Sequence, residues 1–359
     1  MTDTTVATGL TVQQWDAKFF KEYLEANRFK AEMGTSSKNI IQVKSDLTKK
    51  KGDSVTFALV NRLTGAGVTG SSTLEGNEEA LDSRSFKLVV DKLRNAVRVA
   101  EVDEQFSALS LRGAAREVLM DWMMEKTRDG IITALHMINS VAYGTASEAQ
   151  KDVWLVDNSD RVLFGDAIGN GSYTDHSADL LTVTAAMTLS AADVQLMKRI
   201  CSTASPKIRP TRTTEDERYF ILYCGSRTFR DLSGDATITQ ANREAWTRGK
   251  NNPLFTGGDL IYDGVIIKEI PDIASLGTVG AASAAVSPVF MCGAQAVGFA
   301  WAKKTTSKTE EFDYGDKVGV AVEEIRGIEK MIFGSGSTDT ADLKDHGIVT
   351  GYFGAAADA

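Results

Sequence analysis

The first proline of this 359-residue chain is Pro206, and only five prolines occur in all. Proline breaks the interior of helices and of central strands. The first 205 residues can therefore run as long, uninterrupted elements, and the turns fall to the 31 glycines. The chain is long enough for one large or two ordinary domains. With 43% hydrophobic and 25% charged residues it has the balance of a globular protein. No apolar run approaches the roughly 20 residues of a membrane helix. The N-terminus, MTDTTVATGLTVQQWD, lacks the basic start and apolar run of a secretory signal.

The three cysteines, Cys201, Cys224 and Cys292, are odd in number and widely spaced. Without a CxxC pair they point to reduced, buried thiols rather than to a zinc site or a disulfide framework. The net charge of −8 argues against the broad basic face of a DNA-binding protein. It is compatible with enclosing DNA, because a weakly acidic wall does not hold phosphates in place.

Residues 11–33 predict a helix: Thr11 and Gln14 make a capping box, Trp15, Phe19, Tyr23 and Ala26 recur at helical spacing, and Gly34 stops it. Residues 39–100 change character. Strands are expected at Ile40–Val43, Ser54–Leu63 and Phe86–Val99, around a Gly/Ser/Thr-rich tip at about 64–80. Such a two-stranded excursion is marginal alone and needs a surface to lie on. Its charge is uneven, with Lys49, Lys50 and Lys51 together and Glu75, Glu78, Glu79 and Asp82 together. Two readings stand side by side: two solvated ends of a loop, or an acidic tip that meets a basic patch on a neighbouring subunit.

Residues 102–140 predict one long helix with an apolar stripe of Phe106, Leu109, Ala115, Leu119, Trp122 and Met123, continued by Ile131, Ile132, Leu135 and Ile138. Unbroken, it would span roughly 58 Å, with Gly113 and Gly130 as weak points. Residues 141–185, with Asp157, Asn158, Asp160, Asp166, Asn170 and Asp175, read as a polar surface loop whose spacing is not that of a calcium loop. From 186 the pattern is mixed. Ser190 and Asp193 cap a helix to about Ser202, Tyr219–Cys224 is a strand, and Thr237–Arg248 is a helix. Strands follow at about 259–270, 288–301 and 317–333, before a tail expected to fray.

Motifs for chemistry are absent. There is no phosphate-cradling loop, no GxSxG elbow and no HExxH. His136 falls in the long helix as a packing residue, His346 near the tail, and His176 follows Asp175 in a polar region without a matching nucleophile. The adjacent pairs Glu78–Glu79, Glu310–Glu311 and Glu323–Glu324 point to opposite faces if extended, and read as solvated carboxylates. No catalytic residue, cofactor-binding residue or metal ligand is assigned.

Several runs carry a resemblance. These are WDAKFFKEYLEANRF, GDSVTFALVNRLTG, Phe255-Thr256-Gly257-Gly258, Ile261-Tyr262-Asp263-Gly264-Val265-Ile266, Ala294–Trp301 and Asp313–Val320. Together they make the chain, from about 12 to 335, similar to the tailed-phage major capsid proteins, in the branch typified by the N-four-type podophages. The resemblance implies an α+β chain with the capsid fold shared by tailed phages and herpesvirus floors. Its implied parts are an N-terminal arm (1–38), an extended loop (39–100), a peripheral domain with a spine helix (101–184), an axial domain (185–305), and a return to the peripheral domain with the tail (306–359). It further implies hexamers and pentamers that build an icosahedral virion shell around double-stranded DNA, assembled in the host bacterial cytoplasm. Implied partners are a separate scaffolding protein, a portal and a decoration protein. An encapsulin-like compartment enclosing cargo enzymes is the alternative on the same fold. Either way function lies in subunit contacts, expected at Trp15, Phe19, Lys49, Lys50, Lys51, Glu75, Glu78 and Glu79, with Asp259 and Asp263 as turn residues.

Overall fold

The computed structural model describes residues 28–48, 52–63, 65–71, 73–107, 110–212, 218–244 and 260–357. The predicted helix over 11–33 thus lies outside the described residues up to 27. What is described of it, Lys30–Glu32, is a single 3-10 turn.

The first half of the chain supplies β1 (Met33–Gly34), β2 (Ile41–Lys44), β3 (Ser54–Val60), β4 (Ser83–Val89), β5 (Asp91–Ala100), α1 (Glu101–Phe106), α2 (Leu111–Leu135), α3 (Glu148–Asp157), β6 (Val162–Phe164) and α4 (His176–Leu180). There follow α5 (Ala191–Thr203), β7 (Thr211–Arg212), β8 (Arg218–Cys224), α6 (Ser226–Ser233), α7 (Ala236–Glu244), β9 (Leu260–Tyr262) and β10 (Val265–Glu269). The chain closes with β11 (Val286–Cys292), β12 (Val297–Phe312), β13 (Lys317–Lys330), β14 (Ile332–Gly334), β15 (Leu343–Asp345) and β16 (Ile348–Gly354). Two compact units result. The described part of the smaller is Lys92–Thr127 with Lys304–Ile325; the larger is Arg28–Asp91, Arg128–Lys303 and Arg326–Ala359.

In the larger unit β6, β16, β11, β8, β10 and β9 lie side by side in that order, with β7 added on β8. The pairings are mixed: β8 runs parallel to β10 and antiparallel to β11, and β16 runs antiparallel to β11 and parallel to β6. Both faces are covered, which is why these strands read as continuous apolar runs. Along β8 the side chains alternate between two cores. Phe220, Leu222 and Cys224 join Val194, Met197 and Ile200 of α5, with Leu232 and Ile238 of α6 and α7. Ile221 and Tyr223 join Ile131, Ala134 and Leu135 from the end of α2. Each such side chain contributes about 1.5–3 kcal/mol by leaving water. The Ser190–Asp193 capping box forms as expected, with Ser190 N and Oγ donating to Asp193 Oδ2 at 2.8 and 2.7 Å. All three cysteines are buried and unpaired, and burial pushes the Cys201 thiol up to about 12.

The turn between β9 and β10 is Asp263-Gly264, both left-handed at φ 46° and 70°. Two positive-φ residues between directly paired strands are the preferred hairpin connection, since their twist matches that of the strands. Asp263 is therefore a turn residue, as expected; Asp259 lies outside the described residues.

Two expectations about this unit fail. Residues 141–185 are not a surface loop: they hold α3, capped by Ser147 and Gln150, together with β6 and α4. Trp154, Leu155, Phe164 and Leu180 make a third core with Tyr352; the polar residues between them masked a well-spaced apolar set. Nor is the tail loose as far as Ala355. Ile348, Val349, Tyr352 and Phe353 of β16 are fully buried, because β16 is flanked by β11 and β6. His346 consequently sits against the edge of Phe333 with ring centroids 5.1 Å apart.

In the smaller unit Leu119 and Met123 of α2 pack on Val320 and Val322 of β13, with Leu93 and Trp122 at the margin. The single helix expected over 102–140 is two. Ser110 starts the second: its carbonyl accepts from Ala114 N at 3.0 Å, and its hydroxyl accepts from Gly113 N at 3.3 Å. The 25 residues of α2 span about 37 Å. Beyond its end, left-handed Asn139 and Ser140 make a tight turn between Ile138 and Val141, which bond to each other. Glu323 and Glu324 are buried rather than solvated. Being neighbours on β13 they face opposite ways. Glu323 pairs with Lys92 and Lys308 at 3.0 and 2.8 Å, while Glu324 accepts from Thr305 Oγ1 at 2.8 Å.

Candidate inter-subunit surface

The excursion predicted over 39–100 is built around β3 and β4, paired antiparallel from Ser54↔Val89 to Val60↔Ser83. The one strand expected over Phe86–Val99 breaks at Val90, whose N–H returns to Asp53 O at 3.0 Å; β5 then pairs with β13 instead. The hairpin buries more within the subunit than its sequence suggested. Val55, Phe57, Phe86 and Leu88 line one face at alternate positions and pack on Ala300, Met331, Ile332 and Phe333. Gly327 allows β13 to pass beneath: a Cβ there would lie 2.2 Å from Val89 O.

The tip is held differently. Asn61 N donates to Asp82 O at 2.9 Å, one step beyond the ladder. Arg84 holds Asp82 at 2.7 Å and reaches the carbonyls of Gly334 and Gly336 at 3.1 and 2.8 Å. Ser85 N and Oγ donate to Asp339 at 3.1 and 2.7 Å. Beyond these anchors the acidic residues tie the loop to itself: Glu79 accepts from Gly65 N at 2.7 Å and Glu78 from Gly76 N at 2.8 Å. Leu63, Leu74 and Leu81 stand 59, 64 and 70% exposed among them.

Of the residues expected at subunit contacts, Glu75, Glu78 and Glu79 thus share one exposed tip. Trp15, Phe19, Lys49, Lys50 and Lys51 lie outside the described residues, as does the Phe255–Gly258 run.

A second surface was missed from sequence. In the smaller unit Phe106, expected in the buried stripe, is 83% exposed, and Val118, Met120 and Met124 on the outer side of α2 are about half exposed. Phe312 and Tyr314, at the β12–β13 turn, are also exposed. The available signal was the width of the apolar pattern. Positions 118, 119, 120, 123 and 124 cover more of the helix than one buried stripe needs. These exposed apolar groups are spread over α1, α2 and the β12–β13 turn.

The polar interior serves structure. Lys330 and Asp345 pair at 2.7 Å, both at most 2% exposed, and Trp154 Nε1 donates to the same carboxylate at 3.1 Å. Asn158 adds a bond to Asp345 N at 2.8 Å and Arg161 donates to its carbonyl. A cleft of about 420 Å³ lies beside His136 and Tyr143, whose rings stack 3.9 Å apart. His136 Nε2 meets Tyr352 Oη at 3.2 Å. His176, expected in a polar region, is buried instead against Tyr352 and Glu148.

Closed cores with an apolar, acidic hairpin tip and an apolar helix face left open define a structural shell subunit. The comparisons agree along the whole length. The pattern of the phage capsid protein family matches residues 3–356. The major capsid protein of Pseudomonas phage KPP25 is 29% identical over 360 residues, 95% of this chain and 94% of that protein. The capsid asymmetric unit of cyanophage Pam1 superposes with TM-score 0.90 at 36% identity, covering both chains entirely. The capsid of Ralstonia phage GP4 shares the fold over the full length of both chains, with TM-score 0.77 at 20% identity. The chain belongs to the phage capsid protein family, and its function is that of a major capsid protein of tailed phages, a structural component of the virion capsid.

Proposed function

We propose that the protein self-associates into hexamers and pentamers that close into an icosahedral shell around double-stranded DNA, with the β3–β4 tip and the outer face of α2 as contacts between copies. One observation carries the assignment of the contact: the hairpin base is satisfied within its own subunit, while Leu63, Leu74 and Leu81 beside Glu75, Glu78 and Glu79 are not. Apolar groups ringed by charge suit a specific interface, the apolar area supplying affinity and the carboxylates orientation. The complementary cations are Lys49, Lys50 and Lys51 of a neighbouring copy, and the arm around Trp15 and Phe19 adds a further contact. The sequence-derived division into arm 1–38, extended loop 39–100, peripheral domain 101–184, axial domain 185–305 and return 306–359 is kept as part of this reading. A scaffolding protein, a portal and a decoration protein are the other partners. Assembly takes place in the host bacterial cytoplasm. The subunit works without catalysis.

Negative-stain electron microscopy of the purified protein, alone and with scaffold, tests this. Capsomers or closed shells are expected; a stable monomer under every assembly condition overturns it. Nucleic acid inside the shells separates a virion from an encapsulin-like compartment, an alternative that the family match does not support.

A further inference from the structure

One group of side chains in the larger unit serves neither the cores nor the open surfaces. Glu148 and Asp152 stand one turn apart on the same side of α3. Asp175 caps α4, and His176 is the first residue of that helix. Carboxylate oxygens of Glu148, Asp152 and Asp175 all lie within 4.8 Å of one another. The His176 side chain, 1% exposed, points its Nδ1 at this cluster, 3.5 Å from Glu148 Oε1. That nitrogen has no hydrogen-bond partner, and a buried polar atom left unpaired is costly.

The remaining polar contacts leave room for a ligand. Asp152 Oδ1 accepts from His176 N at 2.8 Å. Asp175 Oδ1 accepts from Ala178 N and Ser177 Oγ at 2.9 and 2.8 Å. Glu148 Oε2 is 3.5 Å from Lys151 Nζ. Asp152 and Asp175 therefore each keep a second oxygen, while Glu148 faces His176 with Oε1 and Lys151 with Oε2. On the far side of the ring, His176 Nε2 faces Tyr352 Oη at 3.5 Å, and that hydroxyl is held in turn by His136 Nε2. Outer contacts of this kind fix the orientation of metal-binding imidazoles.

We propose that Glu148, Asp152, Asp175 and His176 Nδ1 form a divalent-cation site that fastens α3 to α4. The donor set selects the ion. Three carboxylates favour a hard or borderline cation, and one imidazole favours Zn²⁺ or Mn²⁺ over Mg²⁺ or Ca²⁺, which take oxygen alone. Metal–ligand bonds of roughly 2.0–2.2 Å draw the donors closer than they now stand. Glu148 is exposed and swings in freely. Three carboxylates against the single Lys151 leave an excess of negative charge for the cation to neutralise.

The test uses purified full-length protein, stripped with chelator and titrated separately with Zn²⁺ and Mn²⁺ by calorimetry, with elemental analysis after dialysis. The expected result is one ion per chain, a raised melting temperature, and no displacement by millimolar Mg²⁺. Glu148→Gln and Asp152→Asn each weaken binding by at least about tenfold, as loss of one donor does. Glu148→Gln does not lower the melting temperature of the stripped protein, since it removes one of three crowded carboxylates, which separates loss of the site from loss of the fold. No retained ion, or stoichiometric binding that neither substitution alters, overturns the site. Displacement by Mg²⁺ overturns the assignment to Zn²⁺ or Mn²⁺.

Discussion

The seven-stranded sheet and the tip of the β3–β4 hairpin are made from the same kinds of residue and end in opposite states. In β16 the side chains of Ile348, Val349, Tyr352 and Phe353 are fully buried, and in β11 so are Val289, Phe290 and Met291. At the tip Leu63, Leu74 and Leu81 are each more than half exposed, and carboxylates rather than packing hold the backbone. The sheet completes itself within one chain. On the proposed reading, a second copy covers the tip. Stability and assembly should therefore be separable by mutation, and experiments that confuse the two would break the comparison.

The largest effect is on assembly. Deleting residues 66–80 removes the tip beyond the anchors made by Arg84 and Ser85. The subunit should unfold in urea at nearly the wild-type midpoint, while electron microscopy shows no shells. Normal shells from the deletion would remove the tip from the interface.

Next comes the core. Lys330→Met leaves the Asp345 carboxylate buried without its cation, and among the described residues only Trp154 Nε1 still donates to it. Stranding one partner of a buried pair costs about 3–5 kcal/mol. Chemical denaturation of the unassembled subunit should show a loss of that size. A loss below about 1 kcal/mol would mean that the pair is not what fastens β15 to β13.

Acid should weaken the same region. Burial, with Arg161 and Arg209 nearby, pushes the His346 imidazole down to about 4, whereas in the unfolded chain it titrates near 6.5. Between those values the unfolded chain binds a proton that the folded chain does not. This contribution is thus complete above pH 6.5 and is lost as pH falls toward 4, by at most about 3 kcal/mol. Denaturation midpoints measured from pH 7 to 4.5 should fall more steeply for the wild type than for His346→Gln. Parallel curves would place the acid sensitivity elsewhere.

His346 also shows where sequence reading stops. Gly- and Ala-rich letters around 334–359 surround it and hide the apolar run Ile348–Phe353. Strand order, which sandwiches β16 between β11 and β6, is a long-range fact that no local pattern carries. The α3–α4 region was lost for a related reason: Trp154, Leu155 and Phe164 are spaced among acids, and density of charge outweighed periodicity. Local rules were legible where the signal is itself local, as in the Ser190–Asp193 box and the Asp263-Gly264 turn. Words shared with capsid proteins gave the family. The exposure of Glu75, Glu78 and Glu79 was legible from charge alone, but that of Phe106, Val118, Met120 and Met124 was not. A helix pattern shows which positions are apolar, and not which of two apolar sides faces its own subunit.

The smallest change gives the sharpest version of the comparison, because it is made within one strand and its approach. Phe86 is 5% exposed and packs between Phe57 and Phe333; Leu81, five positions earlier, is 70% exposed. Phe86→Ala should cost about 3–5 kcal/mol through the cavity it leaves. Leu81→Ser touches no core, so its effect on subunit stability should stay within about 0.5 kcal/mol. In assembly the ranking reverses. Leu81→Ser places a hydroxyl where a neighbouring copy would bury a side chain, and so raises the protein concentration at which shells first appear in light scattering. Phe86→Ala, kept well below its own melting temperature, shifts that threshold less. If both substitutions move stability and threshold in proportion, the tip is part of the subunit's own fold, and the apolar contact between copies must then lie on the outer face of α2.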